Sequence, residues 1–396
     1  MKNKDIEKKR ELEKKVVVTG GGSGGHISTA SAIISALKKD YKFNNKNFLY
    51  IGGDLGMTNE KPGNSLEQKI FANETFNKKY IRAGKLQRKF SIHGIFLLLR
   101  TFLGFIDSYK ILREFKPDIV LSTGGFVSVP VCLTAKMLKS KIYLHEQTAA
   151  VGLSNKIVSK YCDKIFVAFP SSKEYFPPEK TIHTGNLIRP EIFHKSGKGK
   201  TIEAMKKMLV RQEVLPIVYI SGGSLGSHIL NRTVKDALLS LLQDFQVILQ
   251  TGDNKEFKDY ELLMKEREKL SPNLRDRFFP VKYLGNKEIG FVLNNIDFFV
   301  GRSGANTVYE MGVLQIPSIF IPIPWVTHNE QVKNAKILEK LGLAEILNQG
   351  ELTPENLVLK IRRFYEKEKN YDSSEVENIF LKNAQDKILK EIGIQK

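Results

Sequence analysis

Twice in this chain an apolar strand runs straight into a glycine turn and then a helix. Val16-Val17-Val18-Thr19 leads into Gly20-Gly21-Gly22-Ser23-Gly24-Gly25-His26, and Ile217-Val218-Tyr219-Ile220-Ser221 leads into Gly222-Gly223-Ser224-Leu225-Gly226-Ser227-His228. Laid over one another without gaps, Gly20, Gly21, Gly24, His26 and Ile27 fall on Gly222, Gly223, Gly226, His228 and Ile229. Such an internal match points to two related units. After the first turn, Ile27, Ala30, Ile33, Ile34 and Leu37 recur at helical spacing. Strand, glycine turn and amphipathic helix in that order open a doubly wound parallel sheet. Further strands are expected at 48–51, 118–121, 142–144, 164–167, 247–249, 296–300 and 318–321, most of them closing on polar or glycine loops. The fold class is therefore α/β, with two Rossmann-like doubly wound parallel-sheet domains.

At 396 residues the chain has room for two such domains. The strand rhythm stops at Thr184-Gly185-Asn186-Leu187-Ile188-Arg189-Pro190, and Lys195-Ser196-Gly197-Lys198-Gly199-Lys200 is polar and glycine-containing. The expected division is a charged leader over 1–15, a first domain over 16–187, a second over 188–372, and a C-terminal amphipathic helix over 373–396. Thr353-Pro354-Glu355 reads as a helix start with proline in the first turn. The leader has no apolar stretch, so it is not a signal peptide, and no run approaches the roughly 18 apolar residues of a membrane span. Cys132 and Cys162 have neither disulfide-framework nor zinc spacing. No metal ligand set and no cofactor is expected.

A formal charge of +19 calls for an anionic partner, which charge alone leaves open as nucleic acid, a membrane surface or a phosphate-bearing substrate. No RNP-like, helix-turn-helix or basic-zipper pattern is present, which argues against nucleic acid. A glycine turn followed by a helix N-terminus offers free amides to a phosphate. The same glycines also suit a tight structural turn. The second turn departs from the Gly-x-Gly-x-x-Gly spacing, and no acidic residue ends the strand expected at 48–51, which disfavours a nicotinamide dinucleotide. His26 stands at the helix start, where it can act as a base or bond a hydroxyl. His145-Glu146-Gln147 follows a strand, as either ligand groups or a solvated loop. Arg302-Ser303-Gly304-Ala305-Asn306-Thr307 opens a helix, with Glu310 one to two turns in, either within reach of a ribose or simply exposed. Pro324 to Gln331 is rich in amide, acid and hydroxyl groups, as a sugar clamp would be. From Lys85 to Arg113 the chain is apolar and basic together: Phe90, Phe96, Phe102 and Phe105 with Lys85, Arg88, Lys89 and Arg100 form either an anionic-interface segment or a buried helix.

Taken together, these residues resemble glycosyltransferase family 28, inverting GT-B enzymes that move GlcNAc from UDP-GlcNAc to lipid I. The carriers are Gly21-Gly22-Ser23-Gly24-Gly25-His26, Gly124-Gly125-Phe126-Val127-Ser128-Val129-Pro130, His145-Glu146-Gln147, Gly152-Leu153-Ser154-Asn155-Lys156, Gly185-Asn186 with Arg189, Gly222-Gly223-Ser224 with Gly226, Ile229-Leu230-Asn231, Arg302-Ser303-Gly304-Ala305 with Thr307 and Glu310, and Gln331 with Asn334-Ala335. The resemblance implies two domains facing across a cleft and formation of lipid II in peptidoglycan biosynthesis at the cytoplasmic face of the plasma membrane. A GT-B relative acting on another lipid, such as diacylglycerol, or a nucleotide-sugar 2-epimerase would share the architecture. The implied partners are UDP-GlcNAc, lipid I (undecaprenyl-pyrophosphoryl-MurNAc-peptide) and an anionic membrane surface. It further implies that Gly21, Gly22, Ser23, Gly24, Gly25, Gly124, Gly125, His145, Gln147 and Asn155 face the acceptor. The donor is expected at Asn155, Arg189, Ser224, Leu284, Ala305, Thr307, Glu310 and Gln331. His26 is the expected base, with Glu146 as alternative or partner.

Overall fold

A computed structural model describes residues 14–55, 63–84, 92–210, 215–326, 329–367 and 370–394, with the backbone alone described over 92–98. The chain divides into two units, Met1–Ile188 with Leu381–Lys396, and Arg189–Phe380. In the first unit, β1 (Val16–Thr19), β2 (Phe48–Gly53), β3 (Lys78–Ile81), β4 (Ile119–Ser122), β5 (Lys141–Glu146), β6 (Lys164–Val167) and β7 (Thr181–His183) form a parallel sheet of order β3-β2-β1-β4-β5-β6-β7. In the second, β8 (Ile217–Ser221), β9 (Gln246–Gln250), β10 (Phe278–Val281), β11 (Phe298–Gly301), β12 (Ser318–Phe320) and β13 (Ala344–Ile346) form a parallel sheet of order β10-β9-β8-β11-β12-β13. Each unit thus places its first strand beside its fourth, and winding reverses there. The carboxyl ends of β1 with β4, and of β8 with β11, are the switch points where α/β sheets bind ligands.

Strand periodicity explains the packing. Val16 and Val18 face one core with Ile27, Ile33 and Leu37 of the helix Gly24–Lys39, while Val17 faces the other with Leu49, Val120 and Leu144. Both faces of β1 are covered, so its three consecutive valines fit a buried parallel strand. In the second unit Val218, Ile220, Val247 and Leu249 pack with Leu357, Ile361 and Phe364 of the helix Pro354–Glu366. That helix begins as expected from its sequence, with Pro354 in the first turn and the Thr353 side chain accepting from the Asn356 amide.

The C-terminal stripe expected as one helix is two. Ser373–Ile379 stays in the second unit, where Phe380 packs at a tilt against Tyr309, 5.1 Å between ring centres. Ala384–Glu391 belongs to the first, its Ile388 and Leu389 buried with Ile27 and Leu37. Apolar residues at helical spacing serve two different cores here, so a continuous stripe did not mean a continuous helix. The leader lies outside the described residues up to Lys14, whose ammonium donates to the Gly393 carbonyl.

Candidate active site

In the first unit the loops after β1, β4 and β5 converge on Gly124. Its φ of +96° lies in the region that favours glycine, and a Cβ there would stand 2.8 Å from both the Asn155 Oδ1 and the His26 Cε1. His26 Nδ1 lies 2.7 Å from the Thr123 carbonyl oxygen. With the Gln147 amide oxygen turned towards the histidine, it accepts from His26 N (3.2 Å) and Nδ1 (3.0 Å), while the Gln147 nitrogen donates to the Gly25 carbonyl at 3.1 Å. Two acceptors on Nδ1 fix its proton there, which leaves the Nε2 lone pair as the basic position. Burial lowers the His26 pKa, against the opposing Thr123 bond, so the ring is neutral near pH 7.

Two expected site residues, His145 for the acceptor and Glu146 as alternative or partner base, sit deeper than their sequence suggests. His145 and Glu146 are the last residues of β5, not a loop after it, and both are buried. His145 donates Nε2–H to the Gly185 carbonyl (3.1 Å), and burial pushes its pKa down to about 4. It is part of the core and does not line a ligand surface. Glu146 Oε1 accepts from the Thr148 amide (2.9 Å), and the Thr148 hydroxyl lies 2.8 Å from the same oxygen; Oε2 accepts from Asn155 Nδ2 at 2.8 Å. Its pKa is raised by burial despite these bonds. With its oxygens committed to protein donors, Glu146 holds Asn155 in place and is not an accessible base. Asn155 Oδ1 remains buried without a hydrogen-bond partner beside His26.

The first glycine turn carries a residue that sequence reasoning missed. Glu67, fully buried on the helix Leu66–Ile70, accepts at Oε1 from the amides of Gly22 (3.3 Å) and Gly53 (3.1 Å). A Cβ at Gly21 would collide with that carboxylate, so this glycine makes room for a protein group and not for a ligand. Ser23 caps the helix that starts at Gly24, placing Gly24 and Gly25 in its first turn and not in the loop. Gly125 (φ +89°) packs on the Gly21 carbonyl, so the two glycine turns interlock.

In the second unit the loop Gly222–Ser227 and the helices His228–Asp236 and Ala305–Leu314 flank the β8/β11 switch point. Ser224 is exposed there, and neither helix is capped by a side-chain bond from its N-cap residue, Ser227 or Gly304. A helix start of that kind suits an anion. Ser227 would ordinarily cap, but its hydroxyl accepts from Arg302 Nη2 at 2.8 Å. Arg302 is buried, donates also to the Ile321 carbonyl (2.8 Å) and to Gln349 Oε1 (2.7 Å), and is pulled down to a pKa of about 10 by burial. It ties the Ser227 end of the glycine loop to Ile321 and Gln349.

Arg189 and Glu310 are bonded to each other, Nε to Oε1 at 2.9 Å and Nη2 to Oε2 at 3.2 Å. Burial would lower the Arg189 pKa, and the Glu310 carboxylate more than offsets this. Glu310 is only 8% exposed, so the exposed-glutamate alternative falls. Ala305 is buried and Thr307 half-buried in the first turn of their helix, and Gln331 accepts at Oε1 from the Ile323 amide (3.0 Å). The Leu284 amide donates to Gln250 Oε1 (3.0 Å) and the Gly285 amide to Glu288 Oε2 (3.3 Å), so neither N–H there is open to a base. Gln250, a second residue missed from sequence, closes β9; its only signal is a polar residue at a carboxyl strand end. Thr327 and His328 of the expected sugar loop lie outside the described residues, and among those described no three His, Cys, Asp or Glu side chains cluster as a metal site.

Comparison with known proteins agrees with this architecture. The model of the glycosyltransferase family 28 N-terminal domain matches residues 16–167, and that of its C-terminal domain matches 217–392. Among curated relatives, a UDP-N-acetylglucosamine--N-acetylmuramyl-(pentapeptide) pyrophosphoryl-undecaprenol N-acetylglucosamine transferase of Caldicellulosiruptor saccharolyticus is 36% identical over 363 residues, covering 89% of this chain and 88% of the relative. One of the same name from Clostridium novyi is 30% identical, covering 90% and 92%. Among solved structures, Acinetobacter baumannii MurG superposes with a TM-score of 0.68 at 21% identity, covering 96% of this chain and all of that one. A UDP-GlcNAc 2-epimerase of Methanocaldococcus jannaschii shares the fold at a TM-score of 0.59 and 12% identity. With both halves matched in order and relatives aligned along nearly their whole length, the chain belongs to glycosyltransferase family 28.

Proposed function

We propose that this enzyme transfers GlcNAc from UDP-GlcNAc to lipid I, forming lipid II with inversion at the sugar carbon. The observation that carries the reading is the end-to-end match, at 30% identity or more, to relatives named for this transfer. The geometry of each unit suits its half of the chemistry. In the first, the His26 Nε2 lone pair takes the proton as the acceptor hydroxyl attacks the anomeric carbon from the face opposite the departing UDP, which turns an α-donor into a β-glycoside. The helix start at Gly24 and Gly25, together with Asn155, receives the acceptor. In the second, Ser224, the uncapped helix ends and Arg189 stabilise the negative charge that UDP gains on leaving. Glu310 receives the ribose, the Leu284 carbonyl the uracil, and Gln331 the GlcNAc hydroxyls. Incubating the protein with labelled UDP-GlcNAc and either lipid I or diacylglycerol tests the acceptor: label in the diacylglycerol product alone overturns the assignment.

Because Arg189 and Glu310 hold each other, the donor has to exchange their bond for its own. Arg189→Ala and Glu310→Ala are each expected to weaken UDP-GlcNAc binding by about 1 to 3 kcal/mol, and the double variant by less than the sum. Calorimetry reads this directly; unchanged affinity in both single variants removes the donor from the second unit.

The acceptor's lipid stays in the membrane, so the first unit needs an apolar docking face at the cytoplasmic leaflet. On the helix Ile92–Phe115, Leu99 (60%), Phe102 (66%), Ile106 and Tyr109 are exposed at helical spacing, with Met137 exposed on the neighbouring helix Ser128–Met137. Among the described residues no helix is long and apolar enough to cross a membrane. Arg100 does not belong to the cationic ring expected from sequence: it is buried and bonded to both Asp54 oxygens at 2.6 Å. Exposed Lys110 and Arg113 on the same helix take its place, while Lys85, Arg88, Lys89, Phe90 and the Phe96 side chain lie outside the described residues. Sedimentation with anionic vesicles should fall with salt and in Leu99→Ser/Phe102→Ser. A folded double variant that sediments like the parent places the membrane face elsewhere.

A further inference from the structure

We propose that Gln250 is a positioning residue that couples the base-binding loop of the donor site to its phosphate-binding loop. This rests on the reading of the second unit as the donor site. β9 lies between β8 and β10, so the loops leaving those two strands are separated by a whole strand. At about 4.8 Å between neighbours, their backbones stand roughly 10 Å apart. Gln250 ends the intervening strand, and its amide reaches both ways.

Its Oε1 accepts from the Leu284 amide (3.0 Å) after β10 and from the Tyr219 hydroxyl (3.2 Å) of β8. Its Nε2 donates to the Gly223 carbonyl and to Ser221 Oγ, both at 3.3 Å, at the start of the phosphate loop. All four bonds that a primary amide makes most readily are used, and the side chain is 9% exposed. The Ser221 hydroxyl accepts in turn from the Gly223 amide at 3.1 Å, which extends the same network into the glycine turn. Leu284, which receives the base, and Gly223, beside the diphosphate, are therefore bridged directly by one side chain. A ligand that engages both loops gains from that fixed spacing, whereas a fragment engaging one loop does not.

The chemistry makes separable variants available. Gln250→Met keeps the length and removes every bond. Gln250→Glu keeps an acceptor for Leu284 and Tyr219 and can accept from the Ser221 hydroxyl, but it turns a carboxylate oxygen on the Gly223 carbonyl and so loses the direct link into the glycine turn. Binding of UDP, uridine and pyrophosphate to the full chain is measured by calorimetry and ligand-observed NMR, with circular dichroism to establish folding. UDP is expected to weaken by about tenfold or more in both variants, while uridine in both, and pyrophosphate in Gln250→Met, stay within about threefold of wild type; in Gln250→Glu the added charge weakens pyrophosphate as well, and uridine is the reference there. If Gln250→Met does not fold, Gln250→Glu carries the test. Unchanged UDP affinity overturns the proposal, and so does an equal loss for all three ligands, which marks local support without coupling. A wild-type protein that binds none of the three overturns the donor reading and this proposal with it.

Discussion

Replacing His26 with glutamine is expected to lower turnover by about 10²-fold or more while leaving UDP-GlcNAc affinity unchanged. Glutamine can still donate to the Thr123 carbonyl, so the turn around Gly124 is kept while the basic lone pair is lost. The donor contacts proposed at Arg189, Ser224, Glu310 and Gln331 lie in the other unit, which is why binding and turnover should separate. The wild-type pH profile supplies a second check. A base whose pKa is lowered by burial gives an acidic limb below the ordinary histidine value of about 6.5. Turnover that is full in His26→Gln, or an acidic limb that persists unchanged in it, removes His26 from the proton transfer. Glu146 is a poor substitute in that event, because freeing its oxygens means breaking the bonds to Thr148 and Asn155.

The strands that sequence reading located and those it passed over differ in position. β1, β2, β4, β5, β6, β8, β9, β11 and β12 are interior, covered on both faces, and read as apolar runs. β3, β7, β10 and β13 are the four sheet edges. Lys78-Lys79-Tyr80-Ile81 carries the charge that protects an exposed edge, Phe278-Phe279-Pro280-Val281 carries a proline that only an edge tolerates, and Thr181–His183 and Ala344–Ile346 are short. Features that keep edges from pairing with other chains also erase their strand signal. The repeat of the first turn in the second was legible because both turns solve one problem, the reversal of winding beside the first strand of each sheet.

For the sites, sequence located the loops better than the roles within them. The glycines point correctly to close approach, yet at Gly21 and Gly124 the approaching groups are Glu67, Asn155 and His26 of the same unit. A sequence shows that space is needed and not what fills it. Glu67 and Gln250 were missed because each acts through backbone amides and carbonyls distant along the chain, a relation that neither spacing nor residue type encodes. His145 was misplaced for a different reason: a polar side chain at a strand end looks like a site, and only burial distinguishes a ligand group from a core histidine.

That buried histidine carries a prediction of its own. His145 is fully buried with a pKa of about 4, against about 6.5 in an unfolded chain. Between those values the unfolded state binds a proton that the folded state refuses, so stability rises with pH across that window. The stabilisation is complete above about pH 6.5 and is lost as pH falls towards 4, where this residue alone lowers the folding free energy by about 3 kcal/mol. His26, shifted the same way, adds to the loss. Urea unfolding of wild type and His145→Asn between pH 4 and 7, followed by circular dichroism, measures the slope and not the absolute stability. It thereby separates the titration from any cost of replacing a core side chain. The variant is expected to show a distinctly shallower dependence on pH. Equal slopes in the two proteins would mean that His145 takes up its proton at Nδ1 while folded, against the burial that lowers its pKa.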